Sequence, residues 1–226
     1  LPSALIMPIC VSIIPVIAAA ITKRQYGEAR EVTESSLKLT NIFIMPAGVG
    51  ITVLAFPIYA VLFTTDQQAV TIGSTILSVF GIASYFVCMQ LITTALLQAH
   101  GHERVPVLSY GVGGLAQIIV DYILVSNPNI NILGSPVGTL TCYATITLIN
   151  LLFITFKLKS KPNFAKIFIK PLLCTAVMGV AARAVYELLS KVGYNTLGGG
   201  RLALAVYMAA AIIAAIVVYV VLIVAT

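Results

Sequence analysis

The sharpest ionisable group inside a long apolar run is Asp121, within the stretch from Gln117 to Val125. An ionised acid at mid-membrane costs a few kcal/mol unless it is paired or faces water. Gln117 lies four residues earlier, so a helix places both on one face as a polar stripe. Such a stripe lines a hydrated cavity or meets a cation. Asp121 stands near the end of its run, so a hydrated interfacial carboxylate is the other reading. Gln90, Gln98 and Asn150 occupy neighbouring apolar runs. Neutral amides there either line a cavity or bond between helices, at roughly 0.6 kcal/mol on average. Arg183 and Glu187, four apart, are expected to satisfy each other near a membrane surface.

Other chemistries find no support. No nucleophile, base and orienting group recur at catalytic spacing, and the chain is read as a non-enzyme. His100 and His102, the two histidines, share one loop and read as solvated residues. Cys10, Cys88, Cys142 and Cys174 all fall in apolar runs without CxxC spacing, so neither a disulfide framework nor a metal site is expected. No Gly-x-x-x-x-Gly-Lys-Ser/Thr loop is present, and Gly198-Gly199-Gly200-Arg201 follows no strand pattern, reading instead as a flexible turn. No cofactor is expected.

The elements that hold these residues are set by composition. The chain is 60% hydrophobic and 9% charged, with a mean hydropathy of +1.06. A soluble domain carries about 25% charged residues, so lipid must solvate this one. Seven apolar runs, at about 1–21, 39–63, 69–98, 106–126, 134–156, 168–189 and 202–225, approach the ~20 residues a bilayer-crossing helix needs. The fold class is therefore an all-α polytopic membrane protein with about seven transmembrane helices. Pro8, Pro15, Pro46 and Pro57 are expected to kink the early helices. Gly111, Gly113 and Gly114 form a small-residue patch suited to close packing.

Charge sets the expected sidedness. Ten of the thirteen Lys and Arg residues fall in three alternate loops: 22–38, 99–105, and 157–167 with its flank to Lys170. The positive-inside rule makes those loops and the C-terminus cytoplasmic. The net charge of +6 is thus a membrane signature rather than a nucleic-acid footprint. Glu28, Glu31 and Glu34 interleave with the cations of the first loop. That segment reads either as a solvated connector or as a short amphipathic surface helix with i,i+4 pairs. Leu1-Pro2-Ser3 lacks both an initiator Met and the basic flank of a signal peptide. With the outside start, this predicts a chain beginning inside a longer protein.

A family resemblance rests on several segments in order. Leu96-Leu97-Gln98-Ala99-His100-Gly101 through Pro106 resembles the "LQ-small-x-G-x-x-x-x-P" loop of polysaccharide exporters. Asp121-Tyr122-Ile123-Leu124 and Asn131 through Thr139 follow at similar spacing, while Pro46-Ala47-Gly48-Val49-Gly50 with Phe56-Pro57-Ile58 and the stretch from Leu5 to Gly27 precede. Together they are similar to the multidrug/oligosaccharidyl-lipid/polysaccharide flippase superfamily, in the stage V sporulation protein B and lipid II flippase branch. The resemblance covers about residues 1–157, the C-terminal lobe of a MATE-like two-lobe transporter. Residues 158–226 then fit a cytoplasmic loop and a terminal helix pair. It implies a bacterial plasma-membrane flippase that moves an undecaprenyl-linked precursor by alternating access. The implied partners are that lipid-linked oligosaccharide, membrane lipids and the N-terminal lobe of the same protein, with no nucleic acid. Gln90, Gln98, Gln117, Asp121 and Asn150 are the residues placed on the substrate or ion pathway. A cation-coupled multidrug exporter of the same fold, which Asp121 favours, and a non-transporting sporulation or envelope scaffold are the alternatives.

Overall fold

A computed structural model of the chain describes residues 3–63, 66–128, 130–157, 164–197 and 201–225, apart from the side chains at 5, 164–166, 191–197 and 201–203. The expectations for Lys159, Lys161, Lys166 and Gly198-Gly199-Gly200-Arg201 lie outside what is described. Among the described residues eight α-helices run in order: α1 Ser3–Thr22, α2 Tyr26–Val53, α3 Ala55–Leu62, α4 Gln67–Ala99, α5 Arg104–Val125, α6 Ser135–Lys157, α7 Phe164–Leu197 and α8 Arg201–Ala225. A 3₁₀ turn over Asn131–Gly134 leads into α6. Among the described residues there is no strand. Within the described residues, six helical stretches are long and apolar enough to cross a membrane, and Ile6–Thr22 is a shorter apolar one. The chain is a multi-pass, all-helical membrane protein.

Two expected boundaries move. The charged segment 22–38 is helix from Tyr26 onward and is continuous with the apolar run that follows. Its Arg30 Nε donates to Glu34 Oε1 at 2.9 Å, while Ala29, Thr33, Ser36 and Leu37 are buried on another face. One helix thus serves both stretches; at 1.5 Å per residue, its 28 residues reach about 42 Å. Conversely, the run 39–63 is two helices. Pro57 has no N–H for the carbonyl of Val53, and its ring crowds that carbonyl. The helix breaks at Leu54 (φ −98°, ψ 16°) before resuming.

The chain divides into two compact units. The first comprises Leu1–Ile44 and Ala83–Phe168. Its core joins stripes of helical period: Ile6, Ile13, Ile17 and Ala20 from α1, Ala29, Leu37 and Ile44 from α2, and Cys88, Ile92, Ala95 and Ala99 from α4. Ile154 of α6 closes it. The second comprises Met45–Ile82 and Ile169–Thr226, where α3 packs on α8.

Short caps fix the ends of two helices in the first unit. After α1, Gln25 N–H donates to Ala20 O and Arg24 N–H to Ile21 O, both at 2.9 Å. After α4, His102 N–H donates to Leu97 O and Gly101 N–H to Gln98 O, again at 2.9 Å. Both are Schellman caps, which need a left-handed residue. Gly101 supplies it at φ +74°, and Arg24 at φ +57° despite its Cβ. Gly101 in the loop motif is therefore a helix stop, and Pro106 lies in the first turn of α5, where a proline is tolerated.

Candidate functional site

Helix α5 packs along α6 by burying Pro106, Ser109 and Gly113. A Cβ on Gly113 would lie 2.6 Å from Ile146 Cγ1 and 3.0 Å from Cys142 O, so only glycine permits this approach. The glycine patch does not act as one unit, however. A Cβ on Gly111 or Gly114 would meet nothing within 4 Å, because those residues lie on other sides of the helix.

Ser109 opens a buried polar node. Its Oγ–H donates to Asn150 Oδ1 at 2.9 Å, within reach also of Pro106 O. The other end of the amide, Asn150 Nδ2, donates to Thr93 Oγ1 and Thr94 Oγ1, both at 3.3 Å. Asn150, Ser109 and Thr93 are each fully buried. One amide thereby fastens α4, α5 and α6 together. Thr147 Oγ1–H adds a bond from α6 to Phe86 O of α4 at 3.2 Å.

Next along α5, Tyr110 Oη–H donates to Oε1 of Gln90, which is buried on α4. Tyr110, Gly114, Gln117 and Asp121 follow one another at steps of four, three and four, so they share one face. Tyr110 remains 42% exposed, and Gln117 and Asp121 are half-buried. The polar stripe read from Gln117 and Asp121 thus extends to Tyr110 and Gln90, about 16 Å of helix at 1.5 Å per residue. Asp121 Oδ1 abuts Gly138 of α6 and is buried with no hydrogen-bond partner among the described residues. Gln98 stands apart, exposed at the end of α4.

Several polar contributors escaped the sequence reading. Tyr110 reads as an aromatic, and Ser109, Thr93 and Thr94 as helix-tolerant small residues. The one signal for Tyr110 was its spacing, seven residues before Gln117, which puts both on one helical face. Another missed group is Asn41 on α2: it is fully buried, and its Oδ1 accepts from Tyr85 Oη–H at 3.0 Å. Arg183 and Glu187 pair as expected, at 2.9 Å on the exposed side of α7. Of the loop histidines, His102 is exposed, as a solvated loop residue should be, whereas His100 is partly buried. His100 Nδ1 is 2.8 Å from Leu96 O, His102 Nδ1 is 2.9 Å from His100 O, and the His102 ring lies 5.2 Å from that of Phe153. Burial pushes the His100 imidazole below the usual histidine value, opposed by the Leu96 carbonyl and aided by His102. Among the described residues no group of three or more His, Cys, Asp or Glu is placed to hold a metal ion.

The arrangement is a helical membrane unit with one internal polar stripe, and its sequence matches the lipid II flippase MurJ family over residues 1–198. The chain belongs to that family. Two relatives from Bacillus subtilis (strain 168) align over nearly all of it. An uncharacterized membrane protein, YabM, is 24% identical over 221 residues, and the lipid II flippase MurJ is 23% identical over 225. Each alignment takes in 97% of this chain and 40% of the relative. The chain thus spans about two fifths of the length of the curated relatives it matches.

Proposed function

We propose that this chain supplies the C-terminal lobe and terminal helix pair of a flippase that carries an undecaprenyl-linked cell-wall or polysaccharide precursor across the plasma membrane. The observation that carries the reading is the family match over residues 1–198, which takes in the whole α5 stripe. In this reading the basic loops 22–38, 99–105 and 157–167 and the C-terminus are cytoplasmic, by the positive-inside rule. The N-terminal lobe of the same protein completes the cavity. Residues 1–157 then form the lobe, and 158–226 the loop and terminal pair.

The α5 stripe is the polar face available to this work. Gln117 and Asp121 meet the substrate head or the driving ion, with Gln90 held behind Tyr110. Asn150 braces the stripe from α6, and Gln98 meets the cytoplasmic entry. An acid inside a span is expensive unless it is used, which supports an ion contact at Asp121. Alternating access moves the lobes around this face. The second reading, a cation-coupled exporter of the same fold, is favoured by one observation alone: the only acid in the α5 span has a buried, unpaired oxygen.

Depletion of the whole protein, followed by a leaflet-resolved assay of lipid-linked precursors, separates the readings. Precursor trapped on the inner leaflet supports the flippase. Unchanged precursor with raised dye sensitivity points to the exporter, and a change in neither is the outcome for a scaffold.

A further inference from the structure

A second polar contact of the first unit involves no residue of α5. Tyr85 Oη–H takes one end of the Asn41 amide, Oδ1, at 3.0 Å. Each residue stands about 18 Å or more from both ends of its helix, at 1.5 Å per residue, so the contact lies deep within α2 and α4. The other end of the amide, Nδ2, carries two N–H donors. It has no hydrogen-bond partner among the described residues, although Asn41 is fully buried. Thr40, the residue before it, is fully buried too, and its hydroxyl is likewise without a partner among them.

Two such groups side by side set this turn apart from the rest of the buried face of α2. Thr33 and Ser36 satisfy their hydroxyls on Ala29 O and Val32 O, four residues back, at 2.8 and 2.7 Å. Thr40 makes no such bond with Ser36 O. A donor buried and left unmade is costly, so a partner is required.

The surroundings narrow what that partner is. Helices α1 and α4 carry no charged residue, and the last charge on α2 is the exposed Lys38. An ion here would lie without a countercharge, which a bilayer interior penalises heavily. Turning the amide over moves the requirement without removing it. Nδ2 would then donate to Tyr85, and Oδ1 would be the end in need of a partner. The ligand must therefore accept in one case and donate in the other, and the Thr40 hydroxyl itself does both. Water is the smallest molecule that meets all of these demands.

We propose that Thr40 and Asn41 hold an ordered internal water, which extends the Tyr85–Asn41 contact into a hydrated link between α2 and α4. Consecutive residues leave a helix about 100° apart, and with both fully buried the wedge between them lies inside the unit. The amide and the hydroxyl are two of the two to four partners that a buried water needs. Leu37 and Ile44, one turn to either side of Asn41, are fully buried aliphatics that close the site along α2. The site stands apart from the transport reading.

Thr40→Val tests it, because the change keeps the shape of the side chain and removes the hydroxyl. In the whole protein in detergent, the thermal midpoint should fall by about 2 °C or more, since a bonded hydroxyl is lost. A midpoint unchanged or raised overturns the site, because removing a hydroxyl that meets only carbon relieves a buried polar group. The fall should be the same in sodium, potassium and choline chloride of equal strength. A fall that needs sodium or potassium puts a cation there and overturns the water. A cryo-electron microscopy map of the wild type that resolves waters decides the matter even if Thr40→Val does not fold. Density for a water within about 3.2 Å of the Asn41 amide and the Thr40 hydroxyl is expected. Side chains enclosed by carbon alone overturn the site.

Discussion

Asp121 of α5 and Gly138 of α6 are fitted to each other: Oδ1 of the carboxylate fills the volume that a Cβ on residue 138 would need, and this buried atom has no hydrogen-bond partner among the described residues. The first turn of α6 can carry only a hydrogen there. Gly138→Ala should therefore force the carboxylate off its seat, at the ~1–3 kcal/mol typical of overpacking. Asp121→Ala should remove most of that penalty, giving a coupling above about 0.5 kcal/mol in a double-mutant cycle read by thermal unfolding in detergent. Additive effects would mean that the two residues do not share the space.

The Asn150 node predicts a second asymmetry. Asn150→Ala removes three bonds that tie α4, α5 and α6, at roughly 0.6 kcal/mol each for membrane helices, so about 2 kcal/mol in all. Asn150→Asp keeps the acceptor for Ser109 but loses the donors to Thr93 and Thr94, and should fall lower still because a charge is buried. A water-soluble thiol reagent should label a cysteine at Gln117 and leave one at Asn150 untouched. Labelling at 150 would move that residue from the brace to the pathway.

The two Schellman caps give opposite predictions for one kind of change. Gly101→Ala places a Cβ in left-handed backbone and should cost about 1 kcal/mol. Arg24→Gly relieves the same conflict after α1 and should leave stability unchanged or raise it by up to about 1 kcal/mol. Thermal midpoints of both variants against the wild type check the pair.

His100 supplies the pH dependence. Its folded-state value is lowered by burial, so near and below the unfolded value of 6.5 the unfolded chain binds more protons than the folded one. Its contribution to stability is present above about pH 6.5 and is lost as pH falls through the depressed folded value. The thermal midpoint of the wild type should drop between pH 7.5 and 5.5, and His100→Gln should flatten that drop. A slope unaffected by the substitution would assign the acid sensitivity elsewhere.

Most of the architecture was legible because a bilayer imposes it. Twenty-residue apolar runs and alternating basic loops mark passages whatever the packing, and α1, α4, α5, α6 and α8 follow their runs to within a few residues. The start of α2 was only half legible, because the charges of Arg30, Glu31 and Glu34 suit a solvated connector as well as a short helix with i,i+4 pairs. In the structure Thr33 and Leu37 bury the opposite face, and the segment stays helical. Pro57 was visible but its effect was not: α1 runs unbroken through Pro8 and Pro15, whereas the second passage breaks before Pro57. The i,i+4 spacing of Gln117 and Asp121 gave half of the stripe. The rest depended on Tyr110 reaching Gln90 across to α4, a contact that no single-helix periodicity encodes.

Transport itself is tested most directly in vesicles. The whole protein, reconstituted into liposomes with an undecaprenyl-pyrophosphate-linked sugar, is assayed for the fraction of precursor accessible to an external sugar-modifying enzyme over time. Protein-dependent exposure of the inner-leaflet precursor is expected, slowed severalfold by Asp121→Asn and Gln117→Leu. Exposure at the rate of protein-free vesicles, from a preparation shown to be folded, would contradict it.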